Sequence, residues 1–214
     1  MDEEISIIDS NTRSEKIKNL LIKNKIKIIV IISIISFFVI AYLTFSEINQ
    51  KNKIKLADQY NSAVINFKLN KKDETITELT KIIYKKNKTY SPLALFFLID
   101  NKLINKNEEI NKLFNVLIDK TKLEYEIKNL IIYKKAVFNS DFESENNLIQ
   151  ILSPIINSES VWKSHALFLM GEYFNSKSQK QKAKEYFEKI ISLKNSNQRI
   201  RQETQKKLNR DFDG

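Results

Sequence analysis

The chain contains no cysteine and only two glycines, two prolines and one histidine in 214 residues. Without cysteine it can form no disulfide, no thiolate nucleophile and no cysteine-ligated metal site. Two glycines cannot build a phosphate-binding loop, which needs several close backbone approaches. So few turn-forming residues also disfavour a β-sandwich or barrel, whose turns recur about every 8–12 residues. The composition favours an all-α fold with short polar connections.

The remaining chemistry-bearing residues do not form a recognisable active site. The only histidine, His165, has no carboxylate at the helical spacing that a metal site requires, because Glu172 lies two turns away. Acidic pairs such as Asp73-Glu74 and Glu108-Glu109 open predicted helices, where carboxylates interact favourably with the helix dipole. We therefore predict no catalytic residue, no metal and no cofactor, and we classify the chain as a non-enzyme.

A long apolar run occupies residues 28–46, nineteen positions without a charge. At about 1.5 Å per residue a helix of this length spans roughly 28 Å, close to the ~30 Å hydrocarbon core of a bilayer. A buried core helix is one alternative, but the amphipathic patterns elsewhere supply no domain large enough to surround it. A cleaved signal peptide is another, but such peptides have a shorter apolar region nearer the N-terminus. We predict a transmembrane helix at 28–46.

The charges beside this run predict its orientation. Six basic residues lie between positions 13 and 27, offset only by Glu15, whereas three follow the run over a similar distance. Lysine and arginine near a span are retained on the cytoplasmic side during insertion. The sequence therefore predicts a single-pass protein with a cytoplasmic tail at 1–27 and the C-terminal domain on the far side of the membrane.

The formal net charge is +10. A basic excess can indicate binding to nucleic acid or attraction to anionic lipid headgroups. Here the lysines are spread over every predicted helix and no block of five basic residues occurs. We predict no nucleic-acid partner; a nucleic-acid-binding regulator is the alternative, and it would require the domain to be cytoplasmic.

Apolar residues recur at helical spacing throughout the chain after residue 46. They predict helices at about 47–69, 73–87, 91–103, 108–120, 123–139, 143–157, 159–176 and 179–194. Paired by short polar loops, these form four helical hairpins within 47–197, followed by a C-terminal cap and tail at 198–214. Ser91 before Pro92 is a typical start signal, with serine as the N-cap and proline at the first helical position.

The hairpins carry an internal period. Ile76 and Ile110 hold equivalent places in their helices and lie 34 residues apart, which is the tetratricopeptide period. The segment HALFLMGEYFNSKSQKQKAKEYFEKIISL matches this repeat at the spacing of its defining residues, which are Gly171, Phe174, Ala183 and Phe187. Gly171 and Ala183 would allow two helices to approach closely. Ile190 and Asn195 depart from the repeat, which usually has a small residue and a proline there.

The arrangement as a whole resembles the YfgM-like family of ancillary SecYEG translocon subunits, which have a short cytoplasmic tail, one N-terminal span and a degenerate tetratricopeptide-like domain. In VWKSHALFLMGEYFNSKSQKQKAKEYF a tryptophan precedes the pair Gly171-Glu172, as in the last repeat of that family. The resemblance implies a scaffold or co-chaperone anchored in the bacterial inner membrane, with its domain in the periplasm. Its implied partners are the Sec translocon, periplasmic chaperones or exported chains. A scaffold for cell division or outer-membrane protein insertion is the alternative; the oligomeric state is left open.

The geometry of the repeat predicts which residues would face a partner. Stacked hairpins expose their first helices on a concave surface. The predicted groove consists of Asn61, Ile65, Lys68, Leu95, Ile99, Lys102, His165, Phe168, Glu172 and Asn175. Trp162, Phe168, Tyr173 and Phe174 form the richest aromatic cluster. It is interpreted either as packing between the third and fourth hairpins or as an exposed anchor for a partner.

Overall fold

A computed structural model describes residues 18–19 and 21–212 of the chain, and all regular structure in that part is helical, with no strand. This confirms the all-α prediction; the predicted tail at 1–27 lies mostly outside the described residues. The helices are α1 Lys25–Lys68, α2 Lys72–Tyr84, α3 Tyr90–Asp100, α4 Asn107–Lys120, α5 Tyr125–Asn139, α6 Glu145–Ile156, α7 Lys163–Ser176, α8 Lys180–Ser192 and α9 Gln198–Asp211.

The start of α3 differs from the sequence prediction. Ser91 is not the N-cap, because the helix already begins at Tyr90. The side-chain oxygen of Asn87 instead accepts bonds from the N–H groups of Thr89 and Tyr90, both at 2.9 Å. The buried Ser91 hydroxyl accepts from the N–H of Asn87 and donates to the carbonyl of Ile82, both at 2.8 Å. A hydroxyl bonded in this way joins α2 to α3 rather than capping a helix.

The chain divides into two compact units, residues 1–55 and 56–214. In the first unit, the apolar part of α1 leaves its large side chains open, with Phe37 and Phe38 about two-thirds exposed (69% and 67%). The second unit has two hydrophobic cores. The first core draws on α1 to α5 and the second on α5 to α9, so α5 contributes to both through neighbouring residues Ile131 and Ile132.

Aromatic rings hold the end of α1 against α3. The ring of Tyr60 lies 5.9 Å from that of Tyr90 and 6.4 Å from that of Phe97, and Phe67 meets Phe97 edge-on at 5.3 Å. Ala63 is fully buried beside them, and its carbonyl accepts a 3.2 Å bond from the hydroxyl of Thr75 on α2. The residues of α1 from Leu56 onward are therefore part of the first core.

The second core is densest where α7 meets α8. Phe174, Ala183 and Phe187 are buried, and a Cβ atom built on Gly171 would lie 2.7 Å from Cδ1 of Phe187. A carbon at that distance overlaps the ring, which is itself enclosed and has no room to move. Glycine is therefore required sterically at this crossing, and the four residues predicted to define the repeat do pack together.

Candidate functional site

The apolar segment of α1 is the first functional feature. Within the described residues it is the one helix long and apolar enough to cross a membrane, with an 18-residue window of mean hydropathy 2.8, none of it buried. A core helix would be largely enclosed, so this exposure argues against that alternative. Thr44 donates its hydroxyl to the carbonyl of Ile40 at 2.9 Å, so the polar group is satisfied within the helix, as expected for an apolar environment.

The residues of the predicted groove lie on helices that belong to different cores, and they differ in exposure. Asn61, Ile65 and Lys68 are exposed on α1, and Lys102 is exposed after α3. Ile99 is half-buried on α3, as are His165, Phe168, Glu172 and Asn175 on α7. Leu95 requires a correction, because it is fully buried among the core residues of α3 and cannot offer a surface to a partner. Leu95 is one of the periodic apolar residues of α3, and these residues form the side of the helix that packs into the core.

The C-terminal helix covers part of the predicted groove on α7. Lys207 of α9 forms an ion pair with Glu172 at 2.9 Å, and Lys207 is only 18% exposed. Phe187 lies against both Phe168 and Phe212, with ring centroids 5.7 Å and 5.8 Å apart. The sequence predicted a capping helix, but not that the cap would engage Glu172 and restrict access to it.

The predicted aromatic cluster separates into three groups, of which the first is Phe168 with Phe187 and Phe212. Trp162 stacks on Tyr133 of α5 at 5.7 Å and lies 5.1 Å from His165, so it packs between α5 and α7, as its core interpretation predicts. Tyr173 and Phe174 form a third group with Tyr186 of α8. Burial raises the pKa of Tyr133 and lowers the pKa of His165. His165 packs among aromatic rings, and a backbone hydrogen bond with Val161 partly offsets the effect of burial on its pKa.

A groove that the sequence analysis did not find lies between α4 and α6, both of which pack on α5. Its volume is about 590 Å³. Its walls carry five side-chain amides, Asn111, Asn115, Asn139, Asn147 and Gln150, together with charged and aliphatic residues. The only sequence signal was the spacing of Asn111 and Asn115, one helical turn apart on α4. This groove and the exposed residues of α1 each offer a surface for binding.

The described residues contain no group of three or more histidine, aspartate or glutamate side chains that could hold a metal ion. No protein-family model, curated protein or solved structure matches the chain.

Proposed function

We propose that this protein is a membrane-anchored scaffold or co-chaperone that binds other polypeptides beside the protein-export machinery. The apolar part of α1 would anchor it in the inner membrane, with the helices after residue 46 in the periplasm. The observation that carries the proposal is the combination of one exposed apolar helix with a domain built only of helices among the described residues. Binding would rest on surface complementarity, without a chemical step.

The proposed architecture of the domain is a tetratricopeptide-like solenoid of four hairpins, with α9 as its cap. Three observations support it. Successive helices pack on one another from α2 to α9. Gly171, Phe174, Ala183 and Phe187 occupy the buried crossing that a tetratricopeptide repeat requires. Finally, α9 packs on both α7 and α8, as a capping helix does when it covers the last exposed apolar face.

The proposed partners follow from the resemblance to the YfgM-like family, namely the translocon, periplasmic chaperones or newly exported chains. Three exposed residues on α1, Asn61, Ile65 and Lys68, combine an apolar centre with polar flanks. Such a surface suits an amphipathic or unfolded segment of another protein. Ile65 is 55% exposed, so its side chain is accessible to a partner.

Photocrosslinking in native membranes tests this function. A photoreactive amino acid at Ile65 or Asn61 of the full chain should give adducts with translocon subunits, periplasmic chaperones or exported precursors. The same group at Lys194, exposed between α8 and α9, serves as the control position and should give fewer of these adducts. Adducts with cytoplasmic proteins alone would contradict the proposal. Adducts with a cell-division or outer-membrane assembly complex would instead support the alternative function, a scaffold for that complex.

A further inference from the structure

We propose that the groove between α4, α5 and α6 binds an extended peptide segment of about five residues, held through its backbone by side-chain amides and through one aliphatic side chain. The inference deepens the proposed function, since it rests on polypeptide binding and names a site and the conformation of its occupant. It does not depend on the membrane topology. None of its lining residues belongs to the groove that the sequence predicts.

The dimensions of the groove suit an extended chain. Its volume of about 590 Å³ lies within the roughly 300–1,000 Å³ typical of ligand clefts. Its walls run from Glu108 to Asp119 on α4 and from Glu143 to Pro154 along α6. Eleven steps of about 1.5 Å give a length of roughly 16 Å, which five residues of extended chain span at about 3.3 Å each.

The two ends of the groove differ in polarity. Asn111 bonds Asn139 and Asn115 bonds Lys135, so α4 and α5 run antiparallel and the end of α4 meets the beginning of α5. The more apolar end is lined by Ile118, Ile132, Ile151 and Pro154, with Asp119 beside Ile118. The opposite end is lined by Glu108, Asn111, Asn139, Glu143 and Asn147. An aliphatic side chain of the peptide would occupy the first end, and the two carboxylates favour a lysine or arginine at the second.

The amides on the two walls are oriented in complementary ways. Lys135 donates to the side-chain oxygen of Asn115 at 2.8 Å, so the NH₂ group of Asn115 is left as the donor. On the other wall, the NH₂ group of Asn147 donates to Glu143 at 2.7 Å, which leaves the side-chain oxygen of Asn147 as the acceptor. One donor and one acceptor are what a peptide group needs for its own C=O and N–H.

Two other amides of the groove, Asn111 and Asn139, are held in place before any peptide binds. Asn139 is fully buried and exchanges two hydrogen bonds with Asn111, at 2.8 and 2.9 Å, and it also donates to the carbonyl of Lys135 at 2.7 Å. Burial lowers the pKa of Lys135, and Asp119 and Glu143 counteract that shift by favouring its charged form. Polar groups fixed in this way lose little conformational entropy when a ligand binds.

An extended occupant fits this arrangement better than a helix. A helix has a diameter of about 10–12 Å and already uses its own peptide groups for internal hydrogen bonds. It would therefore leave the donor of Asn115 and the acceptor of Asn147 without new partners. An extended segment exposes unpaired N–H and C=O groups along its whole length. Side chains one turn apart on α4 are separated by about 6 Å along the helix, which is near the distance between alternate residues of an extended chain.

Binding of a defined peptide to the full chain in lipid nanodiscs tests the proposal. The probes are end-capped, fluorescein-labelled pentapeptides of sequence Leu-Thr-Val-Thr-Lys and its reverse, since the groove leaves the chain direction open. We expect one of them to bind saturably with a Kd below about 1 mM. Asn115→Ala should weaken binding about fivefold, the effect of losing one hydrogen bond. Gln150→Phe, which adds bulk to the groove wall, should weaken it at least tenfold.

Matched controls separate the groove from the rest of the surface. Asn107 on α4 and Asn146 on α6 are exposed and do not line the groove, so Asn107→Ala and Asn146→Ala should change the Kd less than twofold. A probe N-methylated at its central valine should bind more weakly, because it lacks the central N–H. The proposal is overturned if neither probe binds at 1 mM, if Asn115→Ala stays within twofold, or if N-methylation has no effect. Because nanodiscs expose both faces of the bilayer, a wrong topology would not affect this result.

Discussion

The α7–α8 pair and the α4–α6 pair differ in what lies between their helices. In the first, Gly171 and Ala183 allow close packing, and the ring of Phe187 fills the remaining space. In the second, the facing side chains are mostly amides and charges, and a groove of about 590 Å³ remains. Small residues at a crossing favour a closed core, whereas α4 and α6 both pack on α5 and leave a groove between them. Closed pairs provide stability, and the open pair provides a surface.

The largest expected effect on stability comes from removing the buried ring between α7 and α8. Phe187→Ala removes a fully buried ring that contacts Phe168 and Phe212, and should lower the free energy of unfolding by about 3–5 kcal/mol. Denaturant unfolding of the full chain in detergent micelles measures it through the fluorescence of Trp162, the only tryptophan, which is packed in the same core. Phe142→Ala, at a side chain 45% exposed, is the control and should cost much less.

Adding one carbon to the closed pair should have the next largest effect. Gly171→Ala places a methyl group against the ring of Phe187 and should cost about 1–3 kcal/mol by overpacking. Helix propensity alone predicts the opposite sign, a gain of about 1 kcal/mol. The same denaturant titration distinguishes the two. The double variant Gly171→Ala with Phe187→Leu should recover part of the loss, and a Gly171→Ala protein more stable than the parent would contradict the close crossing.

A smaller effect should appear with pH, through the histidine of the second core. Burial lowers the pKa of His165 below its ordinary value of 6.5, so the unfolded chain binds the proton more readily than the folded one. Stability from this group is therefore fully present above pH 6.5 and is lost as the pH falls below it. Denaturation midpoints between pH 7.5 and 5.5 should decline in the parent and decline less in His165→Gln. Equal slopes in both proteins would exclude His165 as the cause.

The smallest effect is expected from adding bulk to the open pair. Gln150 is exposed on α6, and Gln150→Phe should change the free energy of unfolding by less than about 0.5 kcal/mol. The same substitution is expected to reduce peptide binding strongly, so stability and binding separate at this site. A loss comparable to that of Gly171→Ala would mean that α4 and α6 are closely packed and that the groove is not open.

The helices were predictable because each one needs only a local pattern of apolar residues. The predicted and observed bounds of α5 and α6 differ by two residues at the start of each helix and by at most one residue at its end. The start of α7 differs more, because the sequence predicts residue 159 and the helix begins at Lys163. The cause is a contact with another helix, which a local pattern does not contain. The hydroxyl of Ser160 donates to Glu126 of α5 at 2.7 Å and accepts from the N–H of Trp162, so these residues form a bonded turn before the helix.

The binding surfaces were less predictable than the helices. The groove depends on Asn115 meeting Lys135 and Asn111 meeting Asn139, pairs that are 20 and 28 residues apart in the chain. Periodicity assigns a residue to a face of its helix, but not to its neighbours on other helices. The same limitation explains Leu95, which was placed on a concave face although its side chain is enclosed by the first core. Gly171 was an exception, because so few residues other than glycine fit a close crossing.

The side of the membrane on which the domain lies tests the central claim most directly. Because the chain has no cysteine, a single introduced cysteine reports one position without background. In spheroplasts, a membrane-impermeant maleimide should label Asn107→Cys, which is exposed on α4, and should label Asn11→Cys only after lysis. Labelling of Asn11→Cys in intact spheroplasts, with Asn107→Cys protected until lysis, would contradict the account.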